Sequence, residues 1–133
     1  MKFLLDTNTC IYIIKRKPPE VIKRFRWTKI SQIGISAITF SELSYGVSKS
    51  SQPAQNQVAL AQFAAPLEIL SYGDDAAQYY GDLRAFLEKK GTPIGSLDML
   101  IAAHALSIDC TLVTNNEKEF NRIPNLKINN WLS

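Results

Sequence analysis

Three acidic residues, Asp6, Glu42 and Asp98, stand far apart in the chain but in similar local settings. Asp6 closes the apolar stretch Lys2-Phe3-Leu4-Leu5. Glu42 and Asp98 open helical segments that follow a β segment or a turn. Acids so distant in sequence interact only if a fold gathers them. A parallel α/β sheet does this, because its strands all empty at one edge. Carboxylates gathered there repel one another, and a hard divalent cation relieves the repulsion. The spacing therefore points to metal-dependent chemistry.

Each acid also has an ordinary explanation. Asp6 could cap the helix that follows it, yet Thr7 and Asn8 are equally good capping types, which leaves a carboxylate there surplus to structure. Glu42 stands three residues after Thr39, the spacing of a capping box. Asp98 suits the first turn of a helix through the macrodipole. It lies, however, in the apolar run Leu97-Asp98-Met99-Leu100-Ile101-Ala102-Ala103, where a half-buried carboxylate has to be paired, protonated or metal-bound. Ala102 and Ala105 share its face and allow close approach of another element. His104, the only histidine, excludes a histidine-rich metal site. Six residues beyond Asp98 on a helix, it points away from that carboxylate and reads as a packing residue. Asn115, Asn116, Glu117 and Glu119 follow a strand end and are either polar ligands or an ordinary turn and helix start. Asp74, Asp75 and Asp82 read as helix-start and surface charges.

The elements that must position these acids alternate. A strand near residues 2–5 is followed by a helix with Ile11 and Ile14 at helical spacing. Pro18-Pro19 ends it and starts another, with Val21, Ile22 and Phe25 on one side. Gln32–Ser36 reads as a short buried strand, and Thr39 to Glu42 as the start of a helix running toward Ser50. Residues 54–65 are helical, Leu67–Leu70 is a strand, and Gly73 starts the longest helix, which ends at Lys89-Lys90-Gly91. A loop over 93–96 leads into the Asp98 helix. Thr111–Thr114 is a strand, and Leu126–Ile128 a final edge strand. This alternation predicts one α/β domain over 1–133, with a mostly parallel sheet of four to five strands flanked by helices.

A chain of 133 residues builds a real core without staples. No apolar run is long enough for a membrane span, and the apolar stretch cut by Asp6 is too short for a signal peptide. Cys10 and Cys110 are solitary, show no zinc spacing, and fit burial in a protein of the reducing cytoplasm. The net charge of +3 is unevenly spread. Lys15, Arg16, Lys17, Lys23, Arg24, Arg26 and Lys29 cluster with only Glu20 opposing them. They form either a solvated helix face or a phosphate-contacting surface.

Four ordered blocks carry a family likeness: Leu4-Leu5-Asp6-Thr7-Asn8, Ser41–Gly46, Pro93–Asp98 with Ile101–Ala105, and Leu112–Asn116 with Glu119-Phe120. In order and spacing the chain resembles the PIN-domain ribonucleases, above all the VapC-type toxins of bacterial toxin–antitoxin systems. The resemblance implies that Asp6, Glu42 and Asp98 are the catalytic acids and ligands of Mg²⁺, with Mn²⁺ as a substitute. It implies support from Thr7, Asn8 and Thr114. Asn116 stands where the family often has a fourth acid, and Glu119 is the nearest carboxylate able to serve instead. The implied reaction is hydrolysis of a tRNA or rRNA phosphodiester, with Lys15, Arg16, Lys17, Lys23, Arg24 and Arg26 on flanking phosphates. Implied partners are a second copy of the chain and a VapB-type antitoxin. The rivals are a PIN module that binds without cutting, a DNA-directed PIN nuclease, and an aspartyl phosphatase. The last needs an acid where this chain has Asn8.

Overall fold

The computed structural model describes residues 1–133. Its centre is a sheet of short parallel strands, buried because helices cover both faces. The elements run β1 (Phe3–Leu5), α1 (Thr7–Lys15), α2 (Pro19–Trp27), β2 (Ile33–Ser36), α3 (Ala37–Ser48), α4 (Pro53–Ala64), β3 (Glu68–Leu70), α5 (Asp74–Lys90), α6 (Ser96–Ser107), β4 (Thr111–Val113), α7 (Glu117–Phe120) and β5 (Ile128–Asn129). A 3₁₀ turn at Ile30–Gln32 leads into β2. The order is β3-β2-β1-β4-β5, and every pairing is parallel.

The alternation of side chains along each strand divides the core. Leu4 and Leu112 face α5, α6 and α7, packing with Leu83, Leu87, Ile101 and Phe120. Leu5 and Val113 face the other way, toward Ile13, Val21, Leu60 and Phe63 of α1, α2 and α4. Burying each of these aliphatic side chains contributes about 1.5–3 kcal/mol. α6 is buried along nearly its whole length, with Ala102, Ala103 and Ala105 fully covered, so small residues let α5 and the sheet approach it closely. Both cysteines are buried and unpaired, and His104 is buried with its Nδ1 2.7 Å from Ser36 Oγ and its ring edge-on to Tyr72.

The sheet has its switch point at β1. The chain leaves β1 for β2 on one side and returns on the other as β4, which opens a crevice beyond the carboxyl ends of β1 and β4. Leu5 pairs with Val113, so the residues after the two strands, Asp6 and Thr114, lie side by side at that edge. No helix is long and apolar enough to cross a membrane.

Candidate active site

Asp6 follows β1 and is the N-cap of α1: its Oδ1 accepts a hydrogen bond from Thr9 N at 2.9 Å. The expectation that Thr7 or Asn8 would cap, leaving Asp6 surplus to structure, is thus corrected. Asp6 caps because it is the last extended residue, with ψ 173, before the helix starts. Only one carboxylate oxygen is committed there. Asp6 is 5% exposed. Burial pushes its carboxyl above the ordinary value, while hydrogen bonding from Thr114 and Thr9 holds it back. Thr9 itself bonds Val113 O at 3.2 Å, tying the start of α1 to the end of β4.

Glu42 lies in the second turn of α3, not at its start. Ser36 is the N-cap, its Oγ accepting from Ile38 N at 3.0 Å. The capping box expected from Thr39 therefore does not form. Instead Thr7 Oγ1 donates to Glu42 Oε1 at 2.6 Å, joining the first turn of α1 to α3. Thr39 Oγ1 is buried with no hydrogen-bond partner.

Asp98 sits in the first turn of α6, as expected, and is half-buried. Its pKa is pushed up to about 6, first by burial and then by the negative charges of Glu119, Asp6 and Glu42. That sensitivity to three acids from other elements is the electrostatic signature of a gathered cluster. Glu119 is the fourth member. Its Oε1 accepts from Gly95 N at 2.8 Å and its Oε2 from Asn116 Nδ2 at 2.7 Å. These two donors hold its carboxyl below the usual range. A methyl group on Gly95 would lie 3.6 Å from Asp98 Oδ2 and 3.8 Å from Glu119 Oε1, which shows how closely the two acids flank that backbone.

Of the supporting residues, Thr114 is buried and its Oγ1 accepts from Asn116 N at 3.0 Å, shaping the turn after β4. Asn115 donates to the Tyr12 hydroxyl at 2.9 Å. Asn8, the second residue of α1, is exposed and makes no side-chain hydrogen bond within the chain. Thr9, Gly95 and Tyr12 were not singled out from sequence. The signal for Thr9 was its place three residues after a capping acid.

The cluster is strongly anionic. The two side-chain ion pairs of the molecule are Arg84–Glu88 and Lys127–Asp109, so Asp6, Glu42, Asp98 and Glu119 are in none, and Arg122 alone adds a favourable charge near Glu119. The donors are all carboxylate oxygens, the set that suits Mg²⁺ or Mn²⁺. No three of these side chains converge at direct ligation distance, because Glu42 is turned to Thr7 and Glu119 to Gly95 and Asn116. That arrangement fits an ion that retains waters and takes one or two carboxylates directly, the habit of Mg²⁺. Cys10 is close enough for Asp6 to matter, but burial first and that charge second raise its thiol well above the ordinary value, which excludes it as a thiolate nucleophile.

The cations divide. Lys15 borders a groove of about 370 Å³ that Glu42 also borders. Arg16, Lys23 and Arg26 line a separate hollow. Lys17 and Lys29 are exposed. Arg24 is half-buried, its Nη2 donating to Asn129 Oδ1 at 3.2 Å. That bond ties α2 to β5 and leaves the other N–H groups of the guanidinium unengaged.

Comparison with known proteins points to one family. The description "PIN domain" matches residues 3–126. The chain is 47% identical over 131 residues to the tRNA(fMet)-specific endonuclease VapC of Salmonella typhimurium, covering 98% of each. It is 48% identical over 132 residues to ribonuclease VapC2 of Rickettsia felis, again covering 98% of each. Among solved structures, VapBC2 from Rickettsia felis bound to a promoter DNA fragment superposes with a TM-score of 0.91 at 46% identity, covering 98% of this chain and 99% of the other. DNA-bound VapBC from Salmonella typhimurium gives 0.93 at 46% identity, covering 98% of each chain.

Proposed function

This chain belongs to the PIN-domain family and, within it, to the VapC ribonucleases, and on that premise we propose that it is a divalent-metal-dependent endoribonuclease whose substrate is a transfer RNA. The observation that carries the reading is the gathering of Asp6, Glu42, Asp98 and Glu119 at the sheet's switch point with none of them held in an ion pair. Asp6, Glu42, Asp98 and Glu119 would hold Mg²⁺ or Mn²⁺ through their carboxylate oxygens. A bound divalent ion supplies Lewis-acid polarisation of the phosphate and lowers the pKa of a water.

The chain's own residues do the rest. The Thr9 amide fixes one Asp6 oxygen, so the other is presented at a constant place. Thr7 orients Glu42 through its 2.6 Å bond, keeping that carboxylate available to align an attacking water. Asn116 and Gly95 keep Glu119 ionised beside Asp98, so the pair carries negative charge at neutral pH. The hydroxyl of Thr114 shapes the floor. Lys15, beside Glu42, offsets the repulsion that this acidic centre exerts on an incoming polyanion.

The relatives solved as VapBC complexes favour a VapB-type antitoxin as partner for this chain too. A homodimer and a cytoplasmic location complete the proposal. The tRNA(fMet) specificity printed for the Salmonella typhimurium relative makes that transfer RNA the first substrate to test. Mapping RNA ends after brief expression of the wild type and of Asp6→Asn tests the function. Discrete new ends in a transfer RNA with the wild type alone are expected. Identical end maps would refute it.

A further inference from the structure

Trp27 is 74% exposed, an unusual place for the largest apolar side chain. It ends α2, whose other side buries Val21 and sets Phe25 against Phe63 with ring centroids 6.4 Å apart. Trp27 adds nothing to that core. Lys23, one turn earlier on the same face, places Nζ 4.5 Å from the indole centroid. Together with Arg16, Pro19, Ile22 and Arg26 they form an open hollow of about 400 Å³. No acid lines it, and none of its three cations has an ion-pair partner.

An exposed tryptophan is also a common anchor for proteins, so the charge around it decides. Protein anchors also draw on Trp and Arg, but the core of a protein interface is depleted in charge as a whole. Here Lys23 lies over the ring, and Arg16 and Arg26 line the same hollow with no acid among them. A nucleic acid answers both features at once, offering a π face for the indole and phosphates for the cations. The hollow is separate from the groove that Glu42 borders, and α1 spans the distance between them. α1 rises about 12 Å from Thr7 to its last residue. That residue, Lys15, borders the groove of Glu42, and the next, Arg16, lines the hollow of Trp27.

We propose that Trp27 is a stacking platform for an unpaired base of the RNA substrate, with Arg16, Lys23 and Arg26 holding the adjoining phosphates. The assignment rests on the ribonuclease reading above and adds to it a specificity-determining contact away from the acids. The cation–π contact with Lys23 steadies the indole, which lowers the ordering cost when a base stacks.

The test uses the full chain carrying Asp6→Asn, so that RNA is bound but not cut, with labelled oligouridylate and a transfer RNA as probes. Trp27→Ala should weaken binding of both by about 5- to 100-fold, the range of one lost base–aromatic stack. Trp27→Phe should retain most of the affinity. RNA should quench indole emission, and the quenching should vanish in Trp27→Ala, because the other tryptophan, Trp131, is buried. With Asp6 restored, Trp27→Ala should raise KM for the transfer RNA and leave kcat within about twofold. Unchanged affinity, KM and emission in a wild type that cuts transfer RNA would overturn the platform alone. A Trp27→Ala protein that keeps its RNA affinity but loses a co-expressed antitoxin would also overturn it, in favour of a protein contact. A wild type that neither binds nor cuts RNA would overturn the ribonuclease reading and the platform with it.

Discussion

Replacing Asp98 with asparagine should make the metal-free protein more stable at neutral pH while removing its activity. Asp98 titrates near 6 in the folded chain against 3.8 for the free side chain, because burial and the charges of Glu119, Asp6 and Glu42 oppose its ionisation. Below pH ~4 it is protonated in both the folded and unfolded states and contributes nothing. Between ~4 and ~6 the unfolded chain ionises while the folded one does not, so folding stability falls as pH rises. Above ~6 the whole penalty is present. A shift of this size in a fully buried group corresponds to about 3 kcal/mol. Half-exposure and solvent screening reduce that to about 2 kcal/mol. Loss of a charge in the first turn of α6 takes back about 0.5 kcal/mol through the helix dipole. A net gain of about 1–1.5 kcal/mol remains, a rise in Tm of roughly 3–6 °C for a domain of this size. Thermal unfolding in EDTA at pH 7.5 and at pH 4 measures it directly. The gain should be present at the first pH and gone at the second. An Asp98→Asn protein less stable than wild type at pH 7.5 in EDTA would refute the repulsive cluster.

Three further outcomes follow from the same geometry. Thr7→Val removes the hydroxyl 2.6 Å from Glu42 Oε1, so kcat should fall about tenfold and stability by about 1 kcal/mol; unchanged kcat would show that Glu42 needs no orientation. Asn116→Ala removes one of the two donors that hold Glu119, and Mn²⁺ affinity by calorimetry should weaken about threefold to tenfold. Because Asp98 must lose its proton to bind a cation, the apparent Mg²⁺ affinity should fall as pH drops through about 6, by up to about tenfold per pH unit. A flat titration between pH 5 and 7 would contradict that.

Much of this site was legible in the chain because its parts are local. Asp6 ends a strand and Asp98 starts a helix, and both positions follow from patterns of a few residues. The basic last turn and Gly91 cap of α5 were readable for the same reason, with Gly91 at φ 71 as its type allows. The parallel sheet followed from alternating elements. What escaped was decided by contacts between distant segments. Glu42 looked like a capping-box member until Ser36 took the cap, and its partner Thr7 lies 35 residues away. The pinning of Glu119 by Gly95 joins residues 24 apart. The engagement of Arg24 by Asn129 spans almost the whole chain. Strand bounds shifted by a residue or two, as at β5, because edge pairing is set by the neighbouring strand and not by local preference.

The central claim is that the gathered carboxylates hold a divalent ion with which the chain cuts RNA. Cleavage of tRNA(fMet) by purified wild type and Asp6→Asn, in EDTA and then across a Mg²⁺ titration, tests it most directly. The wild type should be silent in EDTA, recover in a saturable way as Mg²⁺ is added, and respond to Mn²⁺ as well. Asp6→Asn should stay silent throughout while remaining folded. Cleavage that persists in EDTA, or that survives in Asp6→Asn at normal rate, would contradict the account.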